Sequence, residues 1–188
     1  MEIAILRHGK SSYLQENRKN RITSLQFKEW VQQYNMSSLL SSSLPNDDAL
    51  NYANQCGAII SSSLQRSIDS AKILNKEKFI ISDALFVEAG LPSAEWNFIK
   101  LYPDIWALFF RVLWLFGYSK NSESFKEAKV RANIAADRLI LLAEEHQSIL
   151  FAGHGVFNRL LVKELRNRGW FGSKNPGSKY WSIDVYTN

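Results

Sequence analysis

The sequence predicts an α/β fold, a sandwich of helices packed on a mainly parallel β-sheet. Two observations predict it. Short apolar runs recur at residues 2–6, 58–61, 79–81 and 148–152, and amphipathic helical patterns lie between them. Strands alternating with helices are the mark of a parallel sheet whose crossovers are helical. The chain has 188 residues, 46% of them hydrophobic, enough for one domain spanning residues 1–188 to bury a substantial core.

Each element has its own local reason. Residues 2–6 form an apolar run that begins almost at once and ends at Arg7-His8-Gly9. Residues 24–35 and 47–56 carry weaker helical patterns, and the Ser-rich segment 37–43 between them reads as a loop. Leu64, Ile68, Ala71 and Leu74 share one face of a helix after the second strand. Phe125, Ala128, Ala132, Ala135, Leu139 and Leu142 define a longer helix, with Ser124 and Glu127 spaced as a capping box at its start. Leu160, Leu161 and Leu165 belong to a helix that opens just after His154-Gly155. Residues 180–186 alternate apolar and polar side chains over part of their length and read as a fifth strand.

Composition narrows the function. Lys and Arg number 23 against 18 Asp and Glu, a balance that favours anionic partners. The surplus gathers near the N-terminus (Lys10, Arg18, Lys19, Arg21, Lys28) and in the C-terminal segment (Arg159, Lys163, Arg166, Arg168, Lys174, Lys179). Nothing resembles a recognition helix, zinc finger or RNA-stacking motif, so no nucleic-acid partner is expected. Cys56 is the one cysteine, which excludes an intrachain disulfide and a thiolate metal cluster. The N-terminal residues lack the basic flank and long apolar segment of a secretory signal, and a cytoplasmic location is expected. Residues 105–118 are strongly apolar but too short to span a bilayer and contain Arg111, so they are expected to form an aromatic helix packed within the protein.

The chemistry centres on histidine. Of His8, His146 and His154, two come shortly after predicted strands and directly before glycine, in Leu6-Arg7-His8-Gly9 and Ala152-Gly153-His154-Gly155. His146 lies in a polar helical stretch and has no such setting. In a parallel sheet, ligands bind beyond the carboxyl ends of the strands, which brings His8 and His154 together. Arg66 opens the helix that follows the second strand and is aimed at the same edge as Arg7. Two arginines supply forked donors to phosphoryl oxygens, and an imidazole near neutral pH is a competent nucleophile when its second nitrogen is fixed as a donor. A leaving alkoxide needs a proton. Glu88, just beyond the third strand, is the expected acid, with Glu95 the neighbouring alternative.

These motifs resemble the histidine phosphatase, or phosphoglycerate mutase-like, superfamily. Arg7-His8-Gly9 matches its signature after the first strand. Ser61-Ser62-Ser63-Leu64-Gln65-Arg66, the region from Leu85 to Gly90 with Glu88, Glu123-Ser124-Phe125 and Gly153-His154-Gly155 follow in the family's order. The resemblance implies a three-layer α/β/α sandwich, a phosphohistidine on His8, a phosphate pocket of Arg7, Arg66 and His154, Glu88 as proton donor, and no metal or other cofactor. Lys10 and Leu14 depart from the family, standing where many relatives have Glu or Gln and Asn. Lys10, Ser11 and Tyr13 are expected to line the other side of the site, with Lys10, Ser11 and Gly155 touching substrate.

The expected activity is metal-independent hydrolysis of a small phosphate monoester. A phosphomutase using the same nucleophile is the alternative, though the insertions that retain a bisphosphate are not evident. A non-catalytic phosphate-recognising domain is the other alternative, and the two retained histidines argue against it. An aromatic insertion at about residues 91–121 is expected either to roof the site or to pack in the core or against a second copy in a homodimer.

Overall fold

The structure is a computed structural model of residues 1–188; for residues 15 and 16 only the backbone is described. Its elements run β1 (Glu2–Arg7), α1 (Ser12–Glu16), β2 (Ile22–Thr23), α2 (Ser24–Met36), α3 (Asp47–Gln55), β3 (Ala58–Ser62), α4 (Gln65–Leu74) and β4 (Ile80–Asp83). After a 3-10 turn over Ala84–Phe86 come β5 (Lys100–Leu101), α5 (Pro103–Leu115), α6 (Phe125–His146), β6 (Ser148–Gly153), α7 (Gly155–Asn167) and β7 (Ile183–Thr187).

The central sheet has the order β4-β3-β6-β1-β7. Its first four strands are parallel, and β7 is antiparallel on the β1 edge. The inner strands are apolar on both faces because helices cover both. Ile3 and Ile5 of β1 pack with α6 and α7, whereas Ala4 and Leu6 pack with α3 and α4. The expected three layers follow from that alternation.

The helices form for readable reasons. Ser124 and Glu127 make the anticipated capping box on α6, and Thr23 with Gln26 makes a second one on α2. Alanines 128, 132, 135, 136 and 143 let α6 lie close against the sheet and α7. Asn46 caps α3, and Pro103 starts α5.

Two expectations change. The fifth strand begins at Ile183 rather than at residue 180. Trp181 adopts a left-handed backbone (φ 64°), which breaks the extended run and leaves residues 178–182 as a loop. The sequence reading also contains no counterpart of the small antiparallel ladder between β2 and β5. That ladder, with Phe27 stacked on Phe110 at 5.7 Å, ties the aromatic insertion to α2. No helix among the described residues is long and apolar enough to cross a membrane.

Candidate active site

β1 and β6 are adjacent, with Arg7 opposite Gly153 in register. The residue following each is a histidine, so the rings of His8 and His154 meet edge to face with centroids 4.9 Å apart. Both are buried. Glycine is needed after His8, because a Cβ on Gly9 would lie 2.4 Å from the Trp181 ring and 2.7 Å from Leu39.

The protonation of the two rings follows from their partners. His8 Nδ1 lies 2.6 Å from the Gly9 carbonyl, which can only accept, so Nδ1 carries the proton and Nε2 keeps its lone pair. Arg66 Nε–H donates to that Nε2 at 3.2 Å. Ser62 Oγ accepts from the Leu64 amide and lies 2.6 Å from His154 Nε2; with the Ser62 proton assigned to that contact, His154 Nδ1 is an N–H donor. Burial, then the positive charge of Arg66 and Arg7, pushes His8 down to about 3. His154 is held well below its usual value by burial and by its neighbours His8, Arg66 and Arg7. Both imidazoles are therefore neutral at pH 7.

The arginines are held by aromatic rings and carbonyls. Arg66, fully buried, lies 4.2 Å above the Tyr34 ring and donates Nη1 to the Tyr34 carbonyl at 3.0 Å. Arg7 lies 4.7 Å above Tyr180, and its Nη1 donates to the Ser178 carbonyl. The Arg7 backbone pairs with Trp181 N and Ser182 O, so the whole 178–182 loop is wrapped around this residue. Four buried side-chain polar atoms among the described residues have no hydrogen-bond partner: Arg7 Nε, Arg66 Nη2, His154 Nδ1 and Ser61 Oγ. The first three are donors on the residues named from sequence as the phosphate pocket. Native interiors leave few such groups unpaired.

Glu88 is held at the N-terminus of α7. Its Oε1 accepts from Ala89 N (2.9 Å) and Phe157 N (2.8 Å), and its Oε2 accepts from Val156 N (3.2 Å). The carboxylate thus occupies first-turn amides of α7. Its loop is anchored from three further directions. Arg131 donates to the Leu85 and Val87 carbonyls, Arg111 to the Ala89 and Gly90 carbonyls, and Glu123 accepts from Gly90 N at 3.0 Å while pairing with Arg131. Glu123, singled out from sequence as one of the ordered motifs, thereby fixes the loop that presents Glu88. Glu95 is exposed and faces Lys120.

A cavity of about 270 Å³ has Arg7, Glu88, Tyr34 and Tyr180 on its wall, whereas His8, Arg66, His154 and Gly155 do not line it. Trp30 and Leu91 add apolar surface, and the ion pair of Arg18 with Asp104 (2.7 Å) stands on its rim side, half exposed. Gly155 lies against Arg7, where a Cβ would be 3.5 Å from Nε. Lys10 and Ser11 do not line this cavity: Ser11 is buried with its hydroxyl 2.6 Å from that of Ser37, and the Lys10 amide is bound by Ser43. Tyr13 packs on Trp30. Of the basic residues concentrated near the two ends of the chain, Arg7 apart, Arg18 reaches the cavity, whereas Arg168 is taken up by Asp137 and Glu164.

Residues 49–182 match the histidine phosphatase superfamily (branch 1). The chain belongs to that superfamily. Arg7 and His8 precede the matched segment. No curated protein sequence matches the chain significantly. Among solved structures it is similar to a mycobacterial glucosyl-3-phosphoglycerate phosphatase in complex with VO3, at 19% identity over 98% of this chain and 91% of that one (TM-score 0.62). It is similar to the alpha-ribazole phosphatase from Shigella flexneri, at 16% identity over 88% and 79% (TM-score 0.61). Bacillus stearothermophilus YhfR matches at 17% identity over 98% and 89% (TM-score 0.62). At these identities the shared property is the fold, an α/β sandwich on a mainly parallel sheet.

Tyr34, Tyr180 and Ser62 were not assigned roles from sequence. Ser62 was within reach, since it sits in the serine run before Arg66. Tyr34 and Tyr180 come from α2 and from a C-terminal loop, and carry no local signal.

Proposed function

We propose that this histidine phosphatase superfamily member, acting as one domain over residues 1–188, hydrolyses a small phosphate monoester through a phosphohistidine on His8. The observation that carries the reading is the convergence of three unpartnered donors, Arg7 Nε, Arg66 Nη2 and His154 Nδ1, beside an imidazole whose Nε2 is unprotonated. Donors placed where charge develops are the main requirement of phosphoryl transfer.

In this reading Arg66 Nε–H gives up its bond to His8 Nε2, the freed Nε2 lone pair attacks phosphorus, and the bond from phosphorus to the ester oxygen breaks. The leaving oxygen takes a proton from Glu88, passed from Oε2, which accepts a single hydrogen bond, from Val156 N at 3.2 Å. Water then attacks the phosphohistidine, gives its proton to Glu88, and releases inorganic phosphate and neutral His8. Arg7, Arg66 and His154 hold the three non-bridging oxygens in both steps.

The test is hydrolysis of p-nitrophenyl phosphate in EDTA by the wild type and His8→Ala. Turnover that survives chelation and is lost in the variant is expected, together with inhibition by orthovanadate. Equal turnover by His8→Ala would remove His8 as nucleophile. Tight phosphate binding without turnover of any ester would favour the phosphate-recognising alternative, and phosphoryl return to an acceptor hydroxyl would favour a mutase.

A further inference from the structure

The inner face of α5 is accounted for: Trp106 and Phe110 pack with Phe27 of α2, Trp114 packs on Ala89 and Ala128, and Arg111 turns inward to the Glu88 loop. Its outer face is not. Apart from Asp104, every exposed residue of α5 is a hydrophobe: Ile105, Leu108, Phe109, Val112 and Leu115, continued by Phe116 at the C-cap. Leu108 is 69% exposed and Phe116 86%. Phe98 and Ile99, on the segment leading into β5, extend the same exposed run. Isolated exposed hydrophobes are ordinary, but a continuous charge-free helical stripe is not.

We infer that this face is the homodimer interface of the protein, with α5 packing against α5 of a second copy about a two-fold axis. Area supports a partner of that size. With these eight side chains 38–86% exposed and a whole large side chain worth up to about 150–250 Å², the face offers at most on the order of 1,000 Å² per protomer, against roughly 800 Å² for a standard stable interface. Charge supports a copy of the same chain. A two-fold contact sets a surface against itself, so it excludes unpaired like charges at its centre; here the one exposed charge on the helix, Asp104, is already neutralised by Arg18 at the end of the stripe. A lipid surface is favoured instead by cations on the helix's polar face, and the exposed part of α5 carries none.

In an antiparallel crossing, the middle of the stripe meets its own copy. Leu108 and Val112 are therefore the residues next to the axis. The flank of the same helix beside this stripe supplies Asp104, Ala107 and Arg111 to the cavity wall.

Sedimentation velocity of the full chain at micromolar concentrations is expected to give a species of twice the 21.6 kDa chain mass. Leu108→Glu is expected to sediment as a monomer with unchanged far-ultraviolet circular dichroism. Val112→Cys is expected to form a disulfide-linked dimer on mild oxidation, whereas the wild type, whose Cys56 is buried, does not. A monomeric wild type would overturn the inference. So would a dimer that Leu108→Glu leaves intact while Val112→Cys fails to cross-link, which would place the interface elsewhere. A monomer that floats with phosphatidylglycerol vesicles, and stops doing so in Leu108→Glu, would assign the face to lipid.

Discussion

The carboxyl ends of β1, β3 and β6 hide polar groups from water without giving all of them partners, while the outer face of α5 leaves apolar groups in water without covering them. At the first region, Arg66 is fully buried with no carboxylate facing it among the described residues, and donors on Arg7, Arg66 and His154 are unpaired. At the second, large side chains from Ile105 to Phe116 stand exposed. Each arrangement costs free energy in the isolated chain, the first by desolvation and the second by hydration of apolar surface. Both costs would be recovered on binding, and the chemistry of each points to a different partner: an anion for unpaired donors, an apolar surface for the stripe.

The largest effect is expected at His8, the proposed nucleophile. His8→Ala is expected to lower kcat for p-nitrophenyl phosphate by at least about 10³-fold, with circular dichroism unchanged; Leu108→Glu is expected to leave kcat within about twofold. A large catalytic loss in Leu108→Glu, measured in the same assay, would show that the two regions are not separable.

Arg66→Met separates function from stability. Removing a buried guanidinium that has no counter-charge removes its desolvation cost. Activity is expected to fall by about 10²–10³-fold while the thermal midpoint rises by about 2–4 °C for each kcal/mol gained. A lower midpoint in calorimetry would mean that the Tyr34 ring and carbonyl already compensate the charge.

The buried histidines give the cradle a pH signature that the α5 face lacks. The folded value of His8 lies at about 3, below that of an unfolded histidine near 6.5, and His154 is shifted in the same direction. Between those values the unfolded chain binds more protons, so this contribution is fully present above about pH 6.5 and is lost as pH falls. Urea unfolding should show the His8 contribution falling by on the order of 2 kcal/mol between pH 6.5 and pH 5, with His154 acting in the same direction, and His8→Asn should reduce the slope. An identical slope in that variant would contradict the burial of a neutral His8.

The smallest expected effect concerns Tyr34. Tyr34→Phe keeps the ring beneath Arg66 and should keep most activity. Tyr34→Leu removes the cation–π contact, worth about 1–2 kcal/mol when desolvated, and should lower kcat/KM roughly tenfold, with Arg66 less well placed for the phosphoryl group. Equal losses in the two variants would transfer the role from the ring to the hydroxyl.

Much of this molecule is written in short-range pattern. The apolar runs that became β1, β3, β4 and β6, the three-four spacing of α6 and its Ser124–Glu127 cap are set by side chains within a turn or two of one another, so sequence alone is enough to place them. The His-Gly pairs at the ends of β1 and β6 were equally legible, because a parallel sheet puts every strand's carboxyl end on one edge whatever the intervening chain does. Four decisions belonged to the tertiary structure. Residues 178–182 turned away from the strand pattern to wrap Arg7, and Ser11 spent its hydroxyl on Ser37. Tyr34 and Tyr180 came to lie under the two arginines. Glu88 rather than Glu95 came to accept hydrogen bonds from the first-turn amides of α7. Each of these contacts joins segments far apart in the chain, the nearest being Ser11 and Ser37, 26 residues apart across α1, β2 and α2, and none repeats with a period. Hydrophobic pattern specifies which face of an element is buried, whereas such single polar contacts depend on where packing finally sets each backbone, which only the folded chain determines.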